Sequence, residues 1–406
     1  MLISVIRGEN NNSKDMLAIK LAFKNLLGAG LRTWLNVIVL SFAFVLIIFY
    51  NGMIDGWNRQ ARNDSQNWEI GSGQFWHPNY DRFDPYTIAE SNAELSEDIH
   101  NLIKENKVTP ILIRQATLYP QGRLQSVFLK GVDPNQKVLL LPTADIQNSQ
   151  NKFAAIIGEQ MAKSTKLKVG DHVLMRWRDK NGTFDAREIE IVSIFKCDVP
   201  TVDNGTIYMN IEVLQEMTAL QNQATMLVAH REYENTKLEG WEYKDLGFLL
   251  AEFDKIIESK KGSGLILQSI LLILALLAIF DTQVLSIFRR QKEIGTYIAL
   301  GLTRAKVVGI FTVEGAAHSI LAAIVGAIYG VPLFIYMSKV GIYYGSTAKD
   351  IGMNIPMAET LYPYYSVGLI ITSIIIVVVA ATIVSYLPAR KISKMNPTQA
   401  LKGKIQ

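Results

Sequence analysis

The chain has 406 residues, is 49% hydrophobic and carries 41 Lys and Arg against 37 Asp and Glu, a formal net charge of +4. Its mean hydropathy of +0.16 is high for a soluble protein and low for one that is all membrane, which predicts a few spans and a sizeable soluble domain. The single cysteine, Cys197, excludes an intramolecular disulfide and a cysteine-based metal site, and nucleic acid is not an expected partner.

After residues 1–33 comes the first of four segments with the roughly 20 apolar residues that a membrane crossing needs, Trp34 to Met53. It starts late and no A-x-A site follows it, so a retained anchor is expected over a cleaved signal peptide. Residues 54–261 have the composition of a folded α+β domain. Alternating stretches at 125–133, 172–177, 187–195 and 205–210 predict strands, and the Asn-Gly pair at Asn181 predicts a hairpin. Helical patterns appear at 91–106, 154–167 and 210–220, and 242–264 reads as a helix leading into the second span. His77 stands among aspartates with no second histidine near, which is weak for a metal. No Ser-His-Asp or Cys-His arrangement is visible, so neither catalytic residues nor a metal or cofactor site is expected on this chain.

The second span is 262–288, the third 307–337 and the fourth 365–387, with a short loop at 338–364. Lys and Arg cluster before the first span (Lys20, Lys24, Arg32), between the second and third (Arg289, Arg290, Lys292, Arg304, Lys306) and in the tail at 388–406 (Arg390, Lys391, Lys394). The positive-inside rule then predicts cytoplasmic termini and an α+β domain on the outer side. In the third span Gly326 and Gly330 have G-x-x-x-G spacing, and Gly315, Ser319, Ala323 and Ala327 recur every four residues. Small residues predict close helix neighbours, in the same subunit or another. Asp281 and Glu314 are charges inside spans, with His318 four residues beyond Glu314. Such groups should face protein or reach the headgroups, and for Asp281 a structural hydrogen bond near the interface is expected over a proton relay with Glu314 and His318.

Between the second and third spans, 289–306 is short, basic and helical in pattern, suited to docking on another protein or to serving as a plain re-entry loop. No G-x-x-x-x-G-K-[ST] occurs, so the chain has no phosphate-binding loop of its own.

Residues 281–311 resemble the signature of bacterial ABC-transporter permeases of the MacB, FtsX and LolC/LolE superfamily. Arg290, Glu293, Ile294, Gly295, Ala299, Gly301 and Glu314 fall on the motif, with Asp281 where asparagine is usual. "LAIKLAFKNLLGAGLRTWLNVIVLSF" is similar to the family's amphipathic elbow and first span, and "PARKISKMNPTQALKG" to its ending, with Pro388, Ala389, Arg390, Pro397, Ala400 and Leu401 in register. "FLKGVDP" and "IIGEQMAKSTKLKVGDHVLM" resemble its periplasmic domain. The resemblance implies four transmembrane α-helices with a large α+β periplasmic domain inserted between helices 1 and 2, in the bacterial inner membrane. It implies a non-catalytic subunit in which 289–306 contains a coupling helix. That helix would dock on separate ATPase subunits, which bind the ATP and Mg, and a second permease chain would complete the unit. A periplasmic carrier or adaptor and membrane lipids are further implied partners. Motion relayed outward would extract lipoproteins or similar lipid-anchored cargo, expel drugs, peptides or lipids, or regulate a cell-wall hydrolase or signalling partner.

Overall fold

The computed structural model describes residues 30–345 and 356–394. The expected elbow up to residue 29 and the closing motif with Pro397, Ala400 and Leu401 lie outside the described residues. The chain divides into two compact units. One comprises the described residues up to Gly56, Glu258–Ile342 and those from Tyr362, and the other Trp57–Ile257 with Tyr343–Leu361.

The α+β unit begins within the last turns of the long helix α1 (Gly30–Ser65). Its elements are β1 (Gln74–Trp76), β2 (Ala93–Glu94), α2 (Glu97–Lys104), β3 (Val108–Leu118), β4 (Gln125–Val132), α3 (Ala144–Asn148), β5 (Ala154–Gly158), α4 (Glu159–Thr165), β6 (His172–Arg178), β7 (Phe184–Phe195), α5 (Pro200–Asp203), β8 (Thr206–Asn210), α6 (Ile211–Thr218), β9 (Gln223–Ala224), β10 (Met226–Ala229), β11 (Glu242–Lys244) and α7 (Leu246–Leu249). Nine strands form one sheet in the order β11-β1-β10-β3-β4-β8-β5-β7-β6, and β3 also pairs with β6. That extra pairing, Ala116 with Trp177 to Leu118 with Met175, closes β3-β4-β8-β5-β7-β6 into a six-stranded barrel without free edges. Its interior is filled by Leu112, Leu129, Ile157, Met175, Trp177 and Ile207. The long β3 also carries Val108–Ile111 out to β10, and so joins the barrel to the β10-β1-β11 extension.

The pattern at 154–167 proves composite. Its first five residues are β5, and only Glu159–Thr165 is helix. Ala155 and Ile157 face the barrel core while Ala154 and Ile156 face a second cluster with Cys197 and Tyr208, so both faces are apolar and alternation is erased. The pattern at 91–106 likewise begins with β2 and becomes helix at Glu97, capped by the Ser96 side chain on the Ile99 amide.

The membrane unit contains the described residues of α1 up to Gly56, most of α8 (Ala251–Arg289), α9 (Gln291–Ala299), α10 (Arg304–Val340) and α11 (Val367–Ala389). Among the described residues four helices, α1, α8, α10 and α11, are long and apolar enough to cross a membrane. The apolar window of α1 is 56% buried, against 22%, 22% and 17% for the other three, so α1 is the central helix and the others turn their Leu, Ile and Val outward. Lipid accepts such side chains as readily as a core does.

Among residues 343–361, between α10 and α11, the described ones belong to the α+β unit. There Trp57 Nε1 donates to the Pro356 carbonyl at 2.8 Å, Gln60 Nε2 to that of Thr360 at 3.1 Å, and Lys196 pairs with Glu359 at 2.8 Å.

Candidate functional site

The residues singled out between the second and third spans meet at one end of the helix bundle. α8 breaks at Arg290, whose backbone leaves helical geometry at φ −101°, ψ 20°, and α9 starts at once. The helix buries Ile294 and Gly295 and exposes Lys292, Glu293, Thr296 and Ala299. Ile294 is fully buried in a cluster with Ile287 of α8, Val307, Val308 and Phe311 of α10, Ala389 at the end of α11 and Ile392 in the turn just beyond it. α9 therefore rests on a pedestal supplied by three membrane helices, with its polar face outward.

Gly301 ends the helix. Its φ of +95° is left-handed, which glycine adopts without strain. The Leu302 amide donates to the Tyr297 carbonyl at 3.0 Å and that of Gly301 to Ile298 at 3.0 Å, a Schellman pair. Leu302 and Tyr297 both pack on the pedestal. Two residues later the Thr303 hydroxyl caps α10 by accepting from the Lys306 amide. The chain thus turns from α9 into α10 over four residues, each with a defined backbone role.

Arg290 is the electrostatic centre. Its Nε donates to Glu293 Oε2 at 2.7 Å, and its Nη1 to Glu314 Oε2 at 2.8 Å and Oε1 at 3.1 Å. The guanidinium also lies 5.0 Å from the centre of the Phe311 ring. Glu314, expected to face protein, is buried with this cation as its partner, and His318 Nδ1 bonds the Glu314 backbone carbonyl at 2.9 Å. The sequence pattern places Arg290 and Glu314 on the same motif and sets His318 beside Glu314, but does not show that Arg290 and Glu314 pair. A carboxylate within a span needs a partner within reach, but the 24 residues between the two hide which cation supplies it.

The structural hydrogen bond expected for Asp281 is not found among the described residues. The residue lies on the exposed face of α8 and makes no ion pair among them. The polar contact falls one residue on, where Asn36 Nδ2 donates to the Ala278 carbonyl at 3.1 Å and to the Thr282 hydroxyl. The glycines of α10 sit where it crosses α1. A Cβ at Gly326 would lie 3.3 Å from the Ser41 carbonyl, and one at Gly330 2.9 Å from Val45 Cγ2. Ala327 is exposed. Four-residue steps drift about 40° each on an α-helix, so the stripe from Gly315 has turned away by Ala327, while Gly326 and Gly330 remain inward.

In the α+β unit a cleft of about 1380 Å³ is lined in part by Trp68, Trp76, Tyr86, Phe128, Arg176 and Phe184. Arg114 in its wall is buried, has no carboxylate partner among the described residues, and straps the 85–92 segment through the Ile88 carbonyl and Asn92 Oδ1. Burial pushes its pKa down to about 10, so it remains charged at neutral pH. His77 Nδ1 accepts from the Asn79 amide in a turn, and the Cys197 thiol is buried and accepts from the Val199 amide.

Residues 265–397 match the family model "FtsX-like permease C-terminal". These residues thus form an FtsX-like permease domain, and relatives of the chain include LolC and MacB permeases. The permease is 20% identical over 346 residues to the lipoprotein-releasing system transmembrane protein LolC of Neisseria meningitidis, covering 75% of this chain and 81% of the relative. It is 25% identical over 272 residues to an uncharacterized ABC transporter permease of Methanocaldococcus jannaschii, covering 62% of this chain and only 63% of that one. A macrolide export ATP-binding/permease protein MacB of Neisseria gonorrhoeae is 23% identical, covering 54% of the permease and 34% of MacB. The extracellular domain of the noncanonic ABC-type transporter YknZ from Gram-positive bacteria matches 43% of the chain and 98% of its own length at 13% identity, with a TM-score of 0.27.

Proposed function

We propose that this permease couples ATP hydrolysis on a separate ATPase subunit to movement of its α+β domain, and that its cargo is a lipoprotein or similar lipid-anchored molecule in the outer leaflet of a bacterial inner membrane. Helix α9 would be the contact with the ATPase, because its apolar face is committed to the pedestal and its polar face is free. A second permease chain completes the unit. The cargo reading rests on one observation. The alignment with the lipoprotein-releasing LolC spans 81% of that relative, whereas MacB is matched over 34% of its length. Export of drugs, peptides or lipids with an adaptor, drawn from the macrolide-exporting relative, is the second reading.

Mass spectrometry on the complex, purified gently with its ATPase and without nucleotide, tests the cargo. Acylated lipoproteins in amounts comparable to the permease, released by ATP, are the expected result. Bulk lipid alone, or an adaptor in place of lipoprotein, would overturn it.

Orientation is tested by labelling intact cells with an impermeant thiol reagent. Asn181, exposed at the β6–β7 turn, should be labelled as Asn181→Cys, and the exposed Lys391 as Lys391→Cys should not. The native Cys197 is buried and gives little background. The reverse pattern would place the α+β domain in the cytoplasm.

A further inference from the structure

Arg290 holds two carboxylates that belong to different helices. Glu293 is in the first turn of α9, and Glu314 lies ten residues into α10, about 15 Å along its axis. Glu293 is half-exposed, while the Arg290 and Glu314 side chains are 22% and 12% exposed. The inner pair is therefore the shielded one, and its charges are far less screened than those of a surface pair. The junction that it spans is the one point where the backbone between α8 and α9 leaves helical geometry. Without a brace, α9 could swing about residue 290, because Ile294 is its only fully buried large side chain.

We propose that Arg290 and Glu314 form a strut that fixes the angle of α9 on α10. Force applied to α9 then displaces the third span instead of being absorbed by rotation at residue 290. Both are positioning residues, and the planar guanidinium is required because one group must serve two carboxylates in different directions. The inference rests on the coupling role proposed above for α9.

The single change Arg290→Met would leave Glu314 charged and unpaired in the helix bundle and threatens folding. The double variant Arg290→Met/Glu314→Met removes both charges and leaves an apolar junction, so it should insert and purify like the parent. Two measurements on the full chain then separate the outcomes. Spin labels on Thr296→Cys in α9 and Val313→Cys in α10, in a Cys197→Ala background, report the strut without any ATPase. One narrow distance peak is expected in the parent, and its loss in the double variant. With the ATPase added, stimulated ATP turnover should fall about tenfold, within the usual range of coupling free energies, while ATPase binding is unchanged. Arg290→Lys should restore binding to Glu314 but only part of the turnover. An unchanged distance peak, or full turnover in the double variant, would overturn the strut. Loss of ATPase binding together with turnover would also overturn it, since the pair would then shape the docking surface. A parent chain that binds no ATPase but shows the narrow peak refutes the coupling role of α9 and leaves the brace itself intact.

Discussion

Gly315→Leu is expected to prevent stable assembly of the membrane helices, and Gly315→Ala to weaken it strongly. A Cβ at Gly315 would run into the Cβ and Oγ of Ser385 on α11 and come within 3.0 Å of Gln283 Nε2 on α8. Three helices therefore converge on one hydrogen atom. Gln283 and Ser385 are themselves buried, and Ser385 Oγ already donates to the Ala381 carbonyl at 2.7 Å, so neither has room to withdraw. Overpacking by one methyl group in a tight core costs about 1–3 kcal/mol, and the leucine adds three further carbons at the same point. In detergent the alanine variant should melt several degrees below the parent. The compensating change Ser385→Gly removes both clashing atoms and should recover most of the loss in the Gly315→Ala background. An alanine variant as stable as the parent, or one not helped by Ser385→Gly, would show that the helices do not meet there.

Ile294→Asp is expected to give the second large effect, and a selective one. Ile294 has no exposed surface and sits where the ends of α8, α10 and α11 converge. A carboxylate there has no cation assigned to it, since Arg290 already serves Glu293 and Glu314. Burying such a charge costs several kcal/mol, more than the few buried contacts of a nine-residue helix return, so α9 should leave the pedestal. The long helices lose only the pedestal contacts at the ends of α8, α10 and α11, so insertion and the fold of the α+β domain should persist. ATPase binding and stimulated turnover should both collapse. Retention of both in a correctly inserted variant would remove α9 from the mechanism.

What could be read from the sequence divides along physical lines. The four crossing helices were legible because lipid imposes a length and an apolar composition that nothing else in the chain shares. Hairpin strands such as His172–Arg178 and Phe184–Phe195 were legible from local alternation around Asn181-Gly182. Barrel closure was not, because β4 with β8 and β5 with β7 pair in parallel across long stretches of chain and leave no local pattern. The strand 154–158 was hidden by burial on both faces. At the junction, Gly301 could be read as a helix stop, since glycine after a short helical pattern marks a left-handed turn. The pairing of Arg290 with Glu314 could not, because the two residues are 24 apart and meet only after the turn at 300–303 brings α10 back beside α8.

The central claim is that α9 connects this permease to an ATPase. The most direct measurement is purification of the intact chain from its own membranes without nucleotide, followed by quantification of bound ABC ATPase in the parent and in Ile294→Asp. The account predicts an ATPase in near-equal amount with the parent and its loss from the variant. A parent chain that is inserted and folded yet brings down no ATPase, or a variant that retains it fully, would contradict the account.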